Sequence, residues 1–435
     1  EVQSAMKEMG VEGDIVEHDE TTTINFIAYS KIIAPLVLAV QELSTELEEQ
    51  KEEIAELKEQ IALLTDRLTQ IEQSMVVTPE VREGVEIEQT AATPSPLLIP
   101  GSWAEKIRLS GDLRYRHETV NDEVMSVRNR HRIRARANLT ADLNENVTVG
   151  VGLSTGGTAN DSGNQTLGSG FSRKPIGMDL AYFDWRISDT MNLMGGKMSN
   201  PFFRPAGYHL IYDSDIRPEG LALKYSSGTF FGNASAFWVE ERPDGSDSVL
   251  FGLQAGYQGV LNNGANLIAG ASYYKTSHTQ RYAPIFTPGN GQGNQLDANG
   301  NYLFGFSEVE LFGELKFDLG GEPMSLFLDY VTNVDADVFN KGFAFGVTYR
   351  FASALGGWTV GYLYQDLEAN AVVGAFTDSD FAGGTSDGSG HTLRAGYTFS
   401  GGWNLATRYI IGDRGRAAGN ERDYNRLQAD INFRY

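Results

Sequence analysis

From Lys106 to Tyr435 the apolar and polar positions alternate with a period of two. Ile107, Leu109, Gly111, Leu113 and Tyr115 alternate with Arg108, Ser110, Asp112, Arg114 and Arg116. The rhythm recurs in segments starting near residues 106, 128, 146, 178, 191, 218, 229, 247, 265, 303, 323, 341, 358, 389, 403 and 422. Such a period sends successive side chains to opposite faces of a strand. About sixteen strands, an even number, predict a transmembrane antiparallel up-and-down β-barrel, a mostly β fold preceded by a helical segment. The connections sort by length. Short ones hold Asn144-Glu145-Asn146, Asp189-Thr190, Ser227-Gly228, Asn262-Asn263-Gly264, Gly320-Gly321, Gly356-Gly357 and Gly401-Gly402, all suited to tight hairpins. They alternate with longer polar connections near 156–175, 199–217, 241–247, 278–302, 370–388 and 414–421, and with medium ones near 121–127 and 335–340. Short turns at one end and long loops at the other are what an outer-membrane barrel requires and a soluble sandwich does not.

Upstream the period changes to seven. Positions a read Ile33, Val40, Leu47, Ile54, Ile61, Leu68 and Met75, and positions d read Leu36, Leu43, Gln50, Leu57, Leu64 and Ile71. A stripe this narrow is a coiled-coil seam and needs partner chains to be stable. Arg67-Leu68-Thr69-Gln70-Ile71-Glu72 places Arg67 within reach of Glu72 on a neighbouring helix, an arrangement associated with three strands. Residues 11–43, with Tyr29-Ser30-Lys31 and Gln41-Glu42-Leu43, are loosely similar to the trimeric intramolecular chaperones of phage tail spikes, which also implies a trimer. Pro79, Pro94, Pro96 and Pro100 mark a linker. The expected organisation is therefore an N-terminal segment (1–30), a coiled coil (31–75), a linker (76–102) and a barrel (103–435).

Charge follows the same division. The net charge is −22, but residues 1–100 hold 21 acidic and 6 basic residues, against 36 and 29 in the remainder. The acidity belongs mainly to the coiled coil, and it argues against a nucleic-acid partner. There is no Cys, so disulfides, thiolate metal sites and thiol nucleophiles drop out. The longest apolar run, Ile32–Val40, is about half the roughly 20 residues of a membrane-spanning helix. The chain opens on Glu1 without a basic n-region and is expected to be a processed one.

Aromatic placement supports a membrane. Trp103, Trp358 and Trp403 sit where ascending strands begin and Trp185 where a descending strand ends, near one interface. Leu427, Ala429, Ile431, Phe433 and Tyr435 share one face of the last strand, a pattern that resembles the aromatic signal of outer-membrane proteins.

Residues 103–260 resemble a family of outer-membrane porins. The resemblance rests on Arg128-Asn129-Arg130-His131-Arg132-Ile133-Arg134-Ala135-Arg136, Lys174-Pro175-Ile176-Gly177-Met178-Asp179-Leu180-Ala181-Tyr182-Phe183-Asp184-Trp185, Gly195-Gly196-Lys197-Met198-Ser199-Asn200-Pro201-Phe202 and Pro218-Glu219-Gly220-Leu221-Ala222-Leu223-Lys224-Tyr225, and continues more loosely to Tyr435. Members often carry an N-terminal coiled coil. The resemblance implies a water-filled channel in the outer membrane of a Gram-negative-type bacterium, with the coiled coil in the periplasm, and names no solute.

The second strand would point Arg128, Arg130, Arg132, Arg134 and Arg136 to one face. They cannot face lipid, where each costs about 2–4 kcal/mol near the midplane. A watery interior remains. Arg108, Arg114 and Arg116 on the first strand and Arg422, Arg426 and Arg434 on the last would join them, since closure makes these strands neighbours, and Arg394 and Arg408 would widen the patch. Glu308, Glu310 and Glu314 would point inward from the tenth strand, followed by Asp329. The connection 199–217 carries Asp213 and Asp215 with Phe202, Phe203, Tyr208 and Tyr212; in general porins the third long connection folds into the lumen. A basic wall opposite an acidic loop gives a transverse field that filters by charge. The plainer reading is that the arginines pair with carboxylates and stiffen the wall.

Catalytic and metal signatures are absent from the sequence pattern. His18, His117, His131, His209, His278 and His391 are scattered. Asp378-Ser379-Asp380 with Asp387 lacks the closing Glu of a calcium loop and reads as a solvated outer loop. The expectation is a porin without cofactor or enzymatic activity. Its partners are outer-membrane lipid, two further copies of itself, and small hydrophilic solutes or ions. The alternative is a structural protein whose helical rod, on the order of 60 Å, tethers the membrane to the cell wall or a periplasmic partner.

Overall fold

The computed structural model describes residues 16–18, 25–27, 106–353, 356–399 and 402–435. The chain divides into two units, Glu1–Pro94 and Ser95–Tyr435. In the first, the short strands Val16–His18 and Asn25–Ile27 pair antiparallel, with Glu17 opposite Phe26. The coiled-coil positions Leu47, Ile54, Leu57, Ile61, Leu64, Arg67, Leu68, Ile71 and Glu72, the rest of the tail-spike-like stretch, and Trp103 lie outside the described residues.

The second unit is a closed barrel. Its strands are β1 (Ile107–Asp122), β2 (Arg128–Asp142), β3 (Val147–Thr155), β4 (Ile176–Ser188), β5 (Met191–Lys197), β6 (Glu219–Ser226), β7 (Phe230–Glu240) and β8 (Ser248–Val260). They continue as β9 (Asn266–Thr276), β10 (Phe306–Leu319), β11 (Glu322–Asn333), β12 (Lys341–Ser353), β13 (Gly356–Leu367), β14 (Gly388–Phe399), β15 (Trp403–Arg414) and β16 (Arg422–Arg434). Each pairs antiparallel with its neighbours, and β16 returns to β1. A two-residue strand, Gln165–Thr166, adds to the edge of β2. All sixteen expected segments are strands, because alternation and turn residues are local signals that the barrel obeys along its whole length. No helix among the described residues is long and apolar enough to cross a membrane.

Short turns join β2–β3, β4–β5 and each later even–odd pair. The other end carries eight connections: L1 (123–127), L2 (156–175), L3 (198–218), L4 (241–247), L5 (277–305), L6 (334–340), L7 (368–387) and L8 (415–421). The wall is lowest at β5 and β6, with 7 and 8 residues, and L3 departs from there.

The outward face is apolar and bare: Leu253, Leu311 and Leu328 are 60%, 55% and 55% exposed. A soluble protein would bury such a band, whereas a barrel set in lipid leaves it bare. Leu253 lies mid-strand, so Leu253→Arg should destabilise the barrel in lipid by about 2–4 kcal/mol while Leu253→Ala costs much less. Urea titration of protein refolded into vesicles would read the difference; equal midpoints would place this face away from lipid. At the short-turn end the rings of Phe351, Trp358, Tyr397, Phe399, Trp403 and Phe433 follow one another at 3.7–6.4 Å between centroids, a belt suited to a membrane interface.

The barrel closes at the last residue. Gly111 and Tyr435 exchange backbone hydrogen bonds of 3.0 and 3.2 Å. A Cβ at Gly111 would lie 2.4 Å from the Tyr435 hydroxyl oxygen, so this strand needs glycine where the terminal ring crosses it.

Candidate functional site: the interior of the barrel

Two long loops leave the rim and fold inward. L3 buries Phe202, Tyr208, Leu210, Ile211 and Tyr212, which pack with Phe237, Tyr274, Phe327 and Leu363 of the wall into an apolar core inside the barrel. Phe202 meets Tyr274 edge-on at 4.9 Å, and it sits where a side chain on Gly252 would collide, 2.3 Å from its ring. L3 is also tied by polar contacts. The Phe203 N–H donates to Gln254 of β8 at 2.7 Å, the Ala206 N–H to Glu314 of β10 at 3.1 Å, and the Tyr208 hydroxyl to Gln365 of β13.

L7 departs from its sequence expectation as a solvated outer loop. Ala369, Asn370, Ala371, Val372 and Val373 are at most 1% exposed. The Val373 N–H donates to Glu308 of β10 at 3.1 Å. Asn294 of L5 donates to the carbonyls of Ala369 and Val372 at 2.6 and 2.7 Å and accepts from the Gly374 N–H at 2.8 Å. The physical reason is the apolar run Ala371-Val372-Val373-Gly374-Ala375-Phe376, which water does not favour and which joins the core built by L3.

L3 and L7 interlock. The Asp213 N–H donates to the Phe376 carbonyl at 2.7 Å, the Thr377 hydroxyl to the Leu210 carbonyl at 2.9 Å, and the Ser379 N–H to the Asp213 carboxylate at 2.8 Å. Asp213 is therefore a fastener between loops, buried to 4% exposure. Glu308, Glu310 and Asp329 do point inward, but the two loops cover them, and they meet packed protein instead of open space. Glu310 accepts from the Tyr274 hydroxyl at 3.1 Å, and Glu314 pairs with Lys316 at 3.2 Å.

The arginines gather on the opposite side. On β1 and β2 they share the inward register, Arg114 opposite Arg134 and Arg116 opposite Arg132. Arg408 and Arg414 of β15 and Arg422 and Arg426 of β16 extend the surface. Carboxylates thread between them. Asp112 accepts from Arg134 and Arg136 at 3.0 and 2.6 Å. Asp215 of L3 reaches the same two groups at 3.2 and 3.3 Å. Asp430 takes Arg116 at 2.7 Å and Arg114 at 3.5 Å. Asp380 of L7 takes Arg426 at 2.7 Å and Arg116 at 3.2 Å, and Asp378 takes Arg408 at 2.5 Å. Glu118, fully buried, serves Arg426 at 2.6 Å, Arg132 at 3.6 Å and also Arg130. Arg108 stands apart at the short-turn end, paired with Asp142 at 2.5 Å, and Arg128 is exposed near L1. Sequence reading placed the arginines but passed over Glu118, Asp122 and Asp430, and it read Asp378 and Asp380 as part of a solvated outer loop. Three of these share the inward alternation of the strands, and the register that brings them onto particular guanidinium groups is the added information.

Among the described residues, His209, Asp213 and Asp378 bring metal-type donors within 4.8 Å of one another. Arg408 already binds Asp378, and both oxygens of Asp213 accept backbone N–H groups, so a fixed positive charge and the loop fastening compete there with any cation. Burial pushes Asp213 up to about 7, with Asp378 and Asp215 adding repulsion, while burial pulls His209 down to about 4. An acid whose pKa is higher in the locked loops than in released ones favours locking when protonated. That stabilisation is complete below the free pKa and fades as pH rises through 7. The interlock should weaken by up to about 1.4 kcal/mol per pH unit between the free carboxylate range and about 7, and level off above it. Conductance measured at pH 8 should therefore exceed that at pH 6, and Asp213→Asn should flatten the difference; an unchanged profile in that variant would assign the effect elsewhere.

Space remains in cavities, three of which bear on the site. One of about 560 Å³ touches Arg134, Arg136, Asp215 and Tyr212. A second of about 440 Å³ opens among Arg128, Arg130, Arg132 and Arg426 toward the long loops. A third of about 410 Å³ lies toward the short turns beside Phe203, Glu314 and Lys316. The interior is thus a packed, acid-anchored half and a basic half with room beside it.

Comparison with known proteins agrees with this architecture. Residues 121–283 and 330–435 match a family described as "Putative porin". None of the curated proteins matches the chain. Among solved structures, OprB of Pseudomonas putida, in a high-pH structure, aligns with a TM-score of 0.53 at 11% identity, covering 76% of this chain and 95% of that one. OmpF of Salmonella typhi, in complex with daunomycin, aligns at 0.48 with 13% identity, covering 76% and 97%. A triple mutant of the Rhodopseudomonas blastica porin aligns at 0.47 with 14% identity, covering 76% and 100%. With the family match extending over most of a closed sixteen-stranded barrel, the chain belongs to this porin family.

Proposed function

We propose that the protein is an outer-membrane channel for passive diffusion of small hydrophilic solutes and ions, and that its passage favours anions. The observation that carries the reading is the unequal pairing on the β1–β2–β15–β16 wall, where one carboxylate, Glu118, is shared by three guanidinium groups. Arg114, Arg116, Arg130, Arg132, Arg134, Arg136 and Arg426 form one charged bank, to which Asp215 of L3 and Asp380 of L7 are bonded directly. Fixed charges beside a narrow passage act on solutes through a weakly screened field. The wall-stiffening role and the filtering role coexist, since surplus positive charge persists after pairing. The reading involves no chemical transformation. The heptads of residues 31–75 support self-association, the pairing of Arg67 with Glu72 supports a trimer, and the proposal sets this coiled coil in the periplasm.

Planar-bilayer recording tests the reading. The purified protein should give discrete conductance steps and an anion-selective reversal potential in a salt gradient. Replacing Arg130, Arg132 and Arg134 by Ala should move the reversal potential toward cation selectivity. An unchanged potential would remove the arginine wall from the passage, and a protein without steps would not be a channel.

A further inference from the structure

The cavity of about 440 Å³ near the outer mouth is bounded by β1, β2, β15, β16, L2 and L7. Five arginines line it, Arg128, Arg130, Arg132, Arg414 and Arg426, against Asp122, Asp161 and Asp380. Existing pairs do not use up their donors. Each guanidinium has five N–H groups. Asp122 is held by Arg414 and also by Arg422, outside the cavity, at 2.8 Å. Arg132 has a 2.8 Å bond to the Asn164 carbonyl and only a distant ion pair with Glu118. The Nε atoms of Arg132 and Arg426 are buried and donate to nothing, and Arg426 is itself 4% exposed. The strand Gln165–Thr166 pairs with β2 at Arg132 and Ile133, which holds L2 across the cavity. Burial also pushes the Asp161 carboxyl up, which reduces the negative charge facing this space.

We propose that this cavity binds a phosphate-type oxyanion, inorganic phosphate or a phosphate monoester, before the solute reaches the constriction. Guanidinium donors approach from β2 on one side and from β15 and β16 on the other, with the polar groups of L2 between. A tetrahedral dianion spreads its charge over several oxygens and can accept from both sides at once. Chloride lacks the directional acceptors, and a carboxylate offers two coplanar ones. The volume leaves room for a small organic group on one phosphate oxygen. As a step in permeation, the proposal rests on the channel reading above.

The test is block of chloride current by inorganic phosphate, then by glycerol phosphate, added to the long-loop side of the bilayer. The full-length protein should show saturable block in the low millimolar range or below, stronger from that side. The double variant Arg128→Ala/Arg132→Gln should raise the half-blocking concentration at least about tenfold, the loss expected for one charge-assisted hydrogen bond. Arg350→Ala, at the opposite cavity, should leave it unchanged. Heat-modifiable gel mobility checks that each variant is folded. Conducting channels that phosphate does not block, or a folded double variant blocked as readily as the parent, would overturn the site while leaving the porin reading intact. A protein that conducts nothing would overturn the porin reading, and equilibrium dialysis of the folded protein against radiolabelled phosphate would still decide the site: saturable binding lost in the double variant upholds it, and no binding overturns it.

Discussion

Replacing residues 371–386 with a short Gly-Ser linker should raise single-channel conductance at least about twofold, because a sixteen-stranded barrel without inward loops leaves a wide aqueous channel. L7 fills space by two means. Its apolar run joins the core around Tyr212, Tyr274 and Phe327, and its Phe376, Thr377 and Ser379 fasten L3 at Asp213 and Leu210. Removing it also takes Asp378 and Asp380 away from Arg116, Arg408 and Arg426, so anion selectivity should rise with conductance. In the same variant Asn294 of L5 loses its bonds to Val372, Gly374 and Ser386 and keeps the one to Ala369, which loosens L5. Bilayer recording with the reversal potential measured on the same channels reads both effects. A conductance equal to the parent would mean that L7 lies beside the passage and does not narrow it.

The second large effect concerns stability. Glu118→Ala should lower the stability of the barrel by about 3–5 kcal/mol, the cost of stripping the counter-charge from a buried ion pair. Glu118 is fully buried, and Arg426 beside it is 4% exposed, so solvent cannot replace the lost carboxylate. Arg130 and Arg132 lose the same partner. Combining Glu118→Ala with Arg426→Met should recover part of the loss, since an apolar replacement of both partners avoids the orphaned charge. The denaturant midpoint of protein refolded in vesicles measures this. If Glu118→Ala matches the parent, the wall is held by something other than these carboxylates.

Most of the barrel was legible from residue order because its rules are local. A strand that alternates between lipid and interior announces itself within ten residues, and tight turns such as Gly320-Gly321 punctuate it. The arginine bank was legible for the same reason: Arg128 to Arg136 occupy one parity on β2. The counter-charges were less so. Arg114 sits opposite Arg134, while Asp112 sits opposite Arg136, and only the pairing register separates a repulsive neighbour from a bonded one. L7 was missed because its polar ends, Asn370 and Asp378-Ser379-Asp380, drew the reading toward solvent. The apolar stretch between them was the available signal. The interlock of L3 with L7 joins residues more than 160 apart, such as Leu210 and Thr377, and no local pattern encodes it.

The seam between Gly111 and Tyr435 bears on how the molecule assembles. Along the barrel every other neighbour pair is a hairpin made by consecutive segments, whereas β1 and β16 meet across more than three hundred residues. The entropic cost of ring closure is concentrated in that one step. Assembly can zip outward hairpin by hairpin, but an open edge persists at β1 until its final partner arrives. During that interval the hydrogen-bonding groups of β1, among them those beside Arg114 and Arg116, need a temporary partner or a rapid finish, which makes the first strand the natural place for an assembly factor to hold the growing sheet.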